Sequence, residues 1–249
     1  MRYQGGKSKQ WKYIVPIIER CLKKNPNALY VEPFIGGGNI FTRVNHHIKL
    51  GNDIDSDVID MWKHFKETHE VPDHSLITKD FYLKLRDEDK TNQRSHPSWL
   101  YGFVANACSY GGKKWGGFAS INPNRGENHI LEACASTQRQ ILEDSFLKSD
   151  IKFCCDDYRN INIPESSVIY CDPPYKGTMG YGTDFNNDDF WNWCREQAKR
   201  GCKVFVSEYS APDDFRCVWK KKKKDGMGTT VKGKHQKTKI EKLFTYGNS

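Results

Sequence analysis

The residues with the clearest chemical potential stand four in a row, Asp172-Pro173-Pro174-Tyr175, directly after the apolar run 168–171. They combine a carboxylate, two rigid backbone carbonyls and an aromatic ring. Each proline fixes φ and lacks an N–H donor, so the turn is stiff and its carbonyls are not used in local helix bonds. Loops that follow parallel strands are also where open α/β sheets bind ligands. The combination is typical of a site that holds a flat, amino-bearing base.

The chemistry of such a base explains why these groups would be useful. An exocyclic amine is a poor nucleophile because its lone pair is delocalised into the ring. If Asp172 and the carbonyl of Pro173 each accept one amine N–H, the nitrogen moves towards a tetrahedral geometry that frees the lone pair. Stacking on Tyr175 would fix the ring. The alternative is an ordinary exit from strand to loop, because Asp and Pro are common turn residues.

A second candidate region is the glycine-rich segment 32–38, which follows a predicted strand. Glycines there let the backbone approach a ligand closely. Gly36 and Gly38 fit a dinucleotide fingerprint, but Phe41 occupies the third glycine position, which disfavours a pyrophosphate. Asp53 ends the next predicted strand, a good position for accepting from ribose hydroxyls. The pattern predicts an adenosine-containing cofactor without a pyrophosphate; the alternative is a tight turn plus an aspartate that precedes a helix.

The elements that position these residues alternate between strand and helix. In the first third of the chain, this order predicts a parallel sheet with crossover helices. The predicted elements are a helix over 11–22, a strand over 29–31, a helix over 39–47, a strand over 49–52 and a helix from Asp55 or Ser56 to about Lys66.

Residues 71–148 interrupt this alternation. They show helical patterning at 80–86 and 130–147, separated by a glycine- and aromatic-rich stretch without the periodicity of a sheet core. The alternation then resumes with strands over 151–155, 168–171 and 203–207, a helix from Asp188 or Asp189 to Gly201, and a closing hairpin with strands over 217–219 and 240–246. The sequence therefore predicts one domain built from 1–70 and 149–249, with 71–148 as an inserted subdomain.

Composition bounds the class of protein. The chain has 249 residues, of which 37% are hydrophobic and 28% charged, as in soluble globular proteins. No segment approaches the roughly 20 apolar residues of a membrane span, and the start of the sequence lacks the apolar region of a secretory signal. The nine cysteines contain no C-x-x-C pair and the eight histidines lack the spacing of a helical metal site. A reduced, metal-free, cytoplasmic protein is predicted.

The net charge of +8 is concentrated late in the chain. Residues 216–242 contain eleven lysines and arginines but only two acids, so the remainder of the chain is close to neutral. A localised basic stripe is expected of proteins that bind phosphate backbones. A solvated lysine run or a flexible tail is the alternative. The run itself comprises Lys220, Lys221, Lys222, Lys223 and Lys224.

Four ordered motifs resemble Dam-like DNA adenine methyltransferases: residues 3–7, 31–38, 52–55 and 172–175. The resemblance implies an α/β fold with a Rossmann-like methyltransferase sheet, mostly parallel with a C-terminal antiparallel hairpin. It implies that 71–148 is a mainly helical target-recognition subdomain inserted in the catalytic domain. It also implies S-adenosyl-L-methionine as the cofactor, and methyl transfer to the 6-amino nitrogen of a flipped adenine in double-stranded DNA.

Carried over by position, the resemblance also implies roles for individual residues. Tyr3 replaces the tryptophan more usual at its position, and the aromatic ring is kept. The middle region matches the family only loosely, so its DNA contacts are candidates without a defined role. The implied catalytic residues are Asp172, Pro173, Pro174 and Tyr175; those for the cofactor are Tyr3, Lys7, Phe34, Gly36, Gly38, Asp53, Asp157 and Asp172; those for DNA are Lys113, Lys114, Arg125 and Arg139, with Lys220 to Lys224.

Two other functions remain open from the sequence. One is a related enzyme that methylates RNA adenine or an amino group of cytosine, although Asp rather than Ser before Pro-Pro-Tyr favours adenine. The other is a nucleic-acid-binding module without catalysis, suggested by the lysine run.

Overall fold

The computed structural model describes residues 1–119, 121–122, 127–174, 185–222 and 240–247. Its strands are β1 (Tyr30–Glu32), β2 (Ile48–Asp53), β3 (Ile121–Asn122), β4 (Glu127–Asn128), β5 (Asp150–Cys155), β6 (Val168–Cys171), β7 (Lys203–Glu208), β8 (Phe215–Lys222) and β9 (Ile240–Tyr246). Its α-helices are α1 (Trp11–Lys24), α2 (Ser56–Thr68), α3 (Lys79–Thr91), α4 (Ser98–Ala107), α5 (His129–Ile141), α6 (Asp144–Leu147) and α7 (Asn187–Lys199).

Seven strands form one sheet in the order β5-β2-β1-β6-β7-β9-β8, while β3 and β4 form a small separate pair. The first five strands of that order run parallel, and β9 is antiparallel to both β7 and β8. The predicted α/β fold with a mostly parallel sheet and a C-terminal antiparallel hairpin is confirmed. The chain moves outward from β1 to β5 and then returns to β6, so the strand order reverses between β1 and β6. Ligands of open α/β sheets bind at such a point.

Helices cover both faces of the sheet. On one face α1, α2, α4 and α5 pack over a cluster that includes Tyr30 and Tyr170. On the other face α7 packs over a cluster that includes Val31 and Ile169. Neighbouring residues of β1 and β6 thus point to opposite layers, as the pleat of a strand requires. Because both faces are covered, the residues of these two strands are buried throughout.

Capping side chains set where two of the predicted helices begin. The carboxylate of Asp55 accepts from the backbone N–H of Asp57 and starts α2, as predicted. The start of α7 lies slightly earlier than predicted, because the side chain of Asn186 accepts from the N–H groups of both Asp188 and Asp189. Gly201 follows α7 with a φ of 83°, the left-handed conformation expected beyond a helix C-terminus.

Helix α4 was absent from the sequence-based prediction. All but its first two residues are buried, so it has no polar face and shows no amphipathic period. Gly102 lies where α4 crosses α2, and a Cβ there would overlap the carbonyl oxygen of Asp57. The glycine that obscured the helix in the sequence is therefore what allows the two helices to approach.

Two further helix predictions were wrong in detail. Residues 39–47 contain turns over 39–43 and no helix. Two carbonyl groups of this stretch accept from side chains: that of Phe41 from Lys49 Nζ at 3.2 Å, and that of Thr42 from Ser145 Oγ at 2.5 Å. The predicted helix over 130–147 is divided into α5 and α6 at Leu142 and Glu143.

Among the described helices, none is long and apolar enough to cross a membrane. All nine cysteines carry free thiols.

Candidate functional site

A cavity of about 930 Å³ opens at the carboxyl edge of the sheet, within the usual size range of small-molecule sites. Its walls come from the segments that follow β1, β2, β5, β6 and β7, joined by the N-terminal segment and the loop after α4. The reversal of strand order between β1 and β6 lies at its centre. The structure brings these sequence-predicted residues into its lining: Tyr3, Lys7, Phe34, Gly36, Gly38, Asp53, Lys114, Asp157, Asp172, Pro173 and Pro174.

An ion pair between Lys7 and Asp172 lies in this cavity. The Lys7 Nζ is 2.7 Å from Asp172 Oδ1 and 2.9 Å from Oδ2, and it also donates to the Gly5 carbonyl at 3.0 Å. The lysine is only 3% exposed. A lysine ammonium has three N–H donors, and these three bonds fix its position. The carboxylate that follows β6 is thus held in place by a residue 165 positions earlier in the chain.

Glu32, at the end of β1, lies near this ion pair but differs from Asp172 in its environment. It is buried and accepts a hydrogen bond from the hydroxyl of Tyr30 at 2.6 Å. Burial raises the pKa of Glu32 well above its usual range, and the charge of Asp172 raises it further. The hydrogen bond from Tyr30 acts in the opposite direction, but burial is the largest contribution and disfavours the charged form of Glu32.

The glycine turn after β1 is fixed by the residue that ends β2. Asp53 accepts from the backbone N–H of Gly36 at 2.9 Å and from that of Asp55 at 3.1 Å. The Gly36 carbonyl accepts from Trp62 Nε1 at 2.8 Å. Gly36 and Gly38 both have positive φ, 41° and 59°. These bonds hold the backbone of the turn open along the cavity wall.

The position of Asp53 also affects its acidity. Burial raises the pKa of Asp53 to about 6, although the hydrogen bonds from Asp55 and Gly36 act in the opposite direction. A carboxyl group with such a pKa changes its charge between weakly acidic and neutral pH. Its capacity to accept hydrogen bonds from a ligand changes with it.

One wall of the cavity is aromatic. The ring of Phe34 lies 5.2 Å from that of Tyr158 and 5.9 Å from that of Phe185, centroid to centroid. Asp157 precedes Tyr158 and its carboxylate is bound at 2.8 Å by the guanidinium of Arg159. The aromatic rings offer flat apolar surface, while the paired acid lies at the rim of the same wall.

The loop after α4 forms the opposite wall. Its Gly112 carbonyl accepts from the backbone N–H of Gln4 at 2.8 Å, joining the loop to the N-terminal segment. Lys114 Nζ pairs with Asp55 at 2.7 Å, and Trp115 Nε1 donates to Asp89 at 2.6 Å. The predicted inserted segment therefore contributes directly to the cavity, and the side chain of Lys114 is held by Asp55, the residue that caps α2.

Other predicted residues lie apart from the cavity. Lys113 and Arg139 are exposed, and neither belongs to the lining. Lys220, Lys221 and Lys222 are exposed on β8. Four predicted residues lie outside the described part of the chain: Arg125, Tyr175, Lys223 and Lys224.

The sequence analysis missed several residues of the lining. Tyr209 directly follows β7, and its place after a parallel strand was a usable signal. Burial raises the pKa of Tyr209 to about 12, and the nearby acids Glu241 and Glu208 add to the effect. Glu241 enters from an antiparallel strand and Trp115 from an irregular loop, so neither had a recognisable signal.

The comparisons with known proteins agree with these motifs. The model of the family described as D12 class N6 adenine-specific DNA methyltransferase matches residues 3–222. A DNA N-6-adenine-methyltransferase of Escherichia phage P1 is 26% identical over 79% of this chain and 29% of its own length. The type II methyltransferase M.FokI of Planomicrobium okeanokoites is 24% identical over 79% of this chain and 32% of its own. The chain thus spans about a third of either relative.

A third relative is closer in length. The type II methyltransferase M.MjaIII of Methanocaldococcus jannaschii is 25% identical over 86% of this chain and 85% of its own. Among solved structures, a putative class I S-adenosylmethionine-dependent methyltransferase from Listeria monocytogenes covers 98% of this chain and 61% of its own, with 11% identity and a TM-score of 0.37.

Proposed function

We propose a methyl transfer as the function of this chain, which belongs to the family of D12 class N6 adenine-specific DNA methyltransferases. The methyl group passes from S-adenosylmethionine to the 6-amino nitrogen of an adenine flipped out of double-stranded DNA. The observation that carries the proposal is the Asp172 carboxylate, held by Lys7 in a cavity that also contains the glycine turn and Asp53. A base-binding carboxylate and an adenosine-binding turn thus share one site.

The described residues fit S-adenosylmethionine. The cavity has room for a ligand of that size, and its aromatic wall of Phe34 and Tyr158 suits an adenine ring. Asp53 offers a carboxylate to the ribose hydroxyls, and the backbone at Gly36 and Gly38 can lie against the ligand. Bound there, the cofactor supplies a methyl group already activated by its sulfonium charge. Tyr3, Asp157 and Lys7 complete the proposed cofactor contacts, with Lys7 shared between the cofactor side and Asp172.

The catalytic work of the chain itself is alignment. Asp172 and the Pro173 carbonyl each accept a hydrogen bond from one N–H of the target amine and so orient its lone pair. Lys7 holds the carboxylate in place. No strong base is needed, because the proton can leave after the transfer. Correct orientation of two reactants alone removes a large part of a reaction barrier.

The DNA must present its adenine outside the duplex. Unstacking and unpairing one base costs a few kcal/mol. Stacking on Tyr175 would return about 1–3 kcal/mol. Contacts from residues 71–148, proposed as the target-recognition subdomain, would supply the remainder, with Lys113, Lys114, Arg125 and Arg139 as candidates.

The direct test is a transfer assay with identified products. Purified protein is incubated with methyl-labelled S-adenosylmethionine and either duplex DNA or RNA, and the digested nucleosides are identified by mass. N6-methyladenine from DNA is the expected product. Methylated cytosine, or a product from RNA alone, would indicate the related enzymes instead. Binding to DNA without any transfer would indicate the non-catalytic module.

The acidity of Asp53 predicts how cofactor binding depends on pH. Ribose hydroxyls donate to the carboxylate, so binding requires the deprotonated form, which is lost as the pH falls through about 6. We expect the Kd for S-adenosylmethionine, measured by calorimetry, to be constant from pH 7 to 8. Below pH 6 it should rise by about tenfold per pH unit. Asp53→Asn should bind weakly at every pH. A wild-type Kd that stays flat down to pH 5 would contradict this role.

The proposed compartment is the reducing cytoplasm of a cell that contains the DNA substrate. It is supported by the nine free thiols, which include Cys154 and Cys155, two consecutive residues of which Cys155 is exposed.

A further inference from the structure

An aromatic pair capped by a lysine lies on the surface between α1 and the edge strand β8. The ring of Tyr13 stacks on that of Trp219, with centroids 5.6 Å apart and an interplanar angle of 24°. Lys221 Nζ lies 4.2 Å from the centroid of the Tyr13 ring and donates to its hydroxyl at 2.9 Å. Tyr13 is nevertheless 37% exposed. Together with Lys12 these residues are termed the α1–β8 surface.

Strand register places this surface at the edge of the sheet that carries the cavity. In β9, Lys242 pairs with both Glu208 at the end of β7 and Lys220 in β8. The last residues of β8 are therefore level with the carboxyl end of β7. Lys221 lies opposite Glu241 in the strand register, and Glu241 itself lines the cavity. The α1–β8 surface consequently begins beside the cavity wall.

The charge of this surface is not neutralised. Lys12 and Lys221 are exposed, and neither forms an ion pair with a carboxylate of the described residues. Lys114 by contrast is paired with Asp55. An ammonium group fixed above an aromatic stack, with a second one beside it, presents donors at a defined place instead of on two mobile side chains. Such a surface suits a polyanion.

We propose that the α1–β8 surface binds the phosphodiester backbone of duplex DNA next to the target base. The proposal rests on the proposed function and extends it to α1, which the sequence analysis had not connected with DNA. Lys12 and Lys221 neutralise phosphates, and Tyr13 supports Lys221 from below. Phosphate contacts of this kind fix the orientation of the duplex without reading its sequence.

The test is the salt dependence of DNA binding by the full chain. The affinity of a fluorescent adenine-containing duplex is measured by anisotropy at several salt concentrations for the wild type and for Lys12→Gln/Lys221→Gln. Each lost phosphate contact makes the slope of log affinity against log salt concentration shallower by about 0.9, so the double variant should make it shallower by about 2. Tyr13→Ala keeps both charges and should weaken binding by about two- to fivefold.

A matched control lies on the same helix. Lys23 and Lys24 are exposed at the far end of α1, so Lys23→Gln/Lys24→Gln removes the same charge away from the cavity. Its salt slope should equal that of the wild type. If both double variants lower the slope equally, the effect is one of net charge and the proposal is overturned.

The proposal can fail separately from the proposed function. If the wild type methylates adenine but the salt slope of Lys12→Gln/Lys221→Gln is unchanged, only the proposed role of the α1–β8 surface is overturned. A wild type that neither methylates nor binds DNA overturns both. Thermal melting of each variant checks that the fold is intact.

Discussion

Replacing Asp172 with asparagine is expected to lower kcat for methyl transfer by roughly 10³-fold, the scale seen when one preorganised polar contact is removed from a transition state. Asparagine has nearly the same shape but presents one amide oxygen in place of two carboxylate oxygens. The Lys7 Nζ, now bonded to both oxygens at 2.7 and 2.9 Å, would compete with the target amine for that single acceptor. The rate is measured with labelled S-adenosylmethionine at saturating DNA.

The same variant should leave binding largely intact. The affinity for duplex DNA should change by less than about threefold, because most of that affinity comes from phosphate contacts. Asp213→Asn is the charge-matched control, since Asp213 is exposed and lies outside the cavity lining; its activity should equal that of the wild type. If Asp172→Asn keeps more than a tenth of the wild-type kcat, Asp172 does not have the proposed catalytic role.

Much of this site was predictable because its residues follow strands. Asp172 comes directly after the buried apolar run of β6, while Gly36, Asp53 and Asp157 lie at or shortly after the ends of β1, β2 and β5. The carboxyl ends of parallel strands meet at one edge of a sheet. Strand runs in a sheet covered on both faces are nearly continuous in apolar residues, which makes them easy to recognise. The positions of these residues at one edge of the sheet could therefore be predicted from the local sequence, without tertiary information.

The remaining parts depend on contacts distant in sequence. The pairing of Lys7 with Asp172 joins residues 165 positions apart, and no local pattern marks it. Trp115 reaches the cavity from a loop pinned by Asp89, and Glu241 reaches it through the register of an antiparallel pair. Helix α4 lacked an amphipathic period because it is buried on all sides.

The Lys7 contact also refines the role implied by resemblance. The sequence placed this lysine near the cofactor, whereas the structure bonds it to the carboxylate proposed to hold the target amine. A buried cation between the two halves of the site can orient Asp172 and still lie beside the cofactor. Removing one partner of a buried pair leaves the other charge uncompensated, which is usually strongly destabilising. Lys7 is therefore proposed as the positioning residue of Asp172.

The second large effect concerns Gly38, whose substitution should damage both stability and cofactor binding. Its φ of 59° lies in the left-handed region, which costs a residue with a Cβ about 1–2 kcal/mol. A Cβ there would also overlap the ring of Trp62, which is completely buried, so that the ring can shift only by disturbing its neighbours. Overpacking of this kind typically costs about 1–3 kcal/mol more. Gly38→Ala should thus lower the free energy of unfolding by about 2–5 kcal/mol.

Gly111 separates the two contributions. Its φ of 64° matches that of Gly38, but a Cβ there would meet nothing within 4 Å. Gly111→Ala should therefore lose only the backbone contribution, about 1–2 kcal/mol. At about 2–4 °C per kcal/mol for a chain of this size, the Tm of Gly38→Ala should fall below that of Gly111→Ala by several degrees. Because the Trp62 indole also donates to the Gly36 carbonyl at 2.8 Å, displacing that ring distorts the turn beside Asp53. Calorimetry should then show that the Kd for S-adenosylmethionine is at least tenfold higher in Gly38→Ala than in the wild type, and unchanged in Gly111→Ala. If the two variants melt at the same temperature and bind the cofactor equally well, the Trp62 contact does not hold the turn.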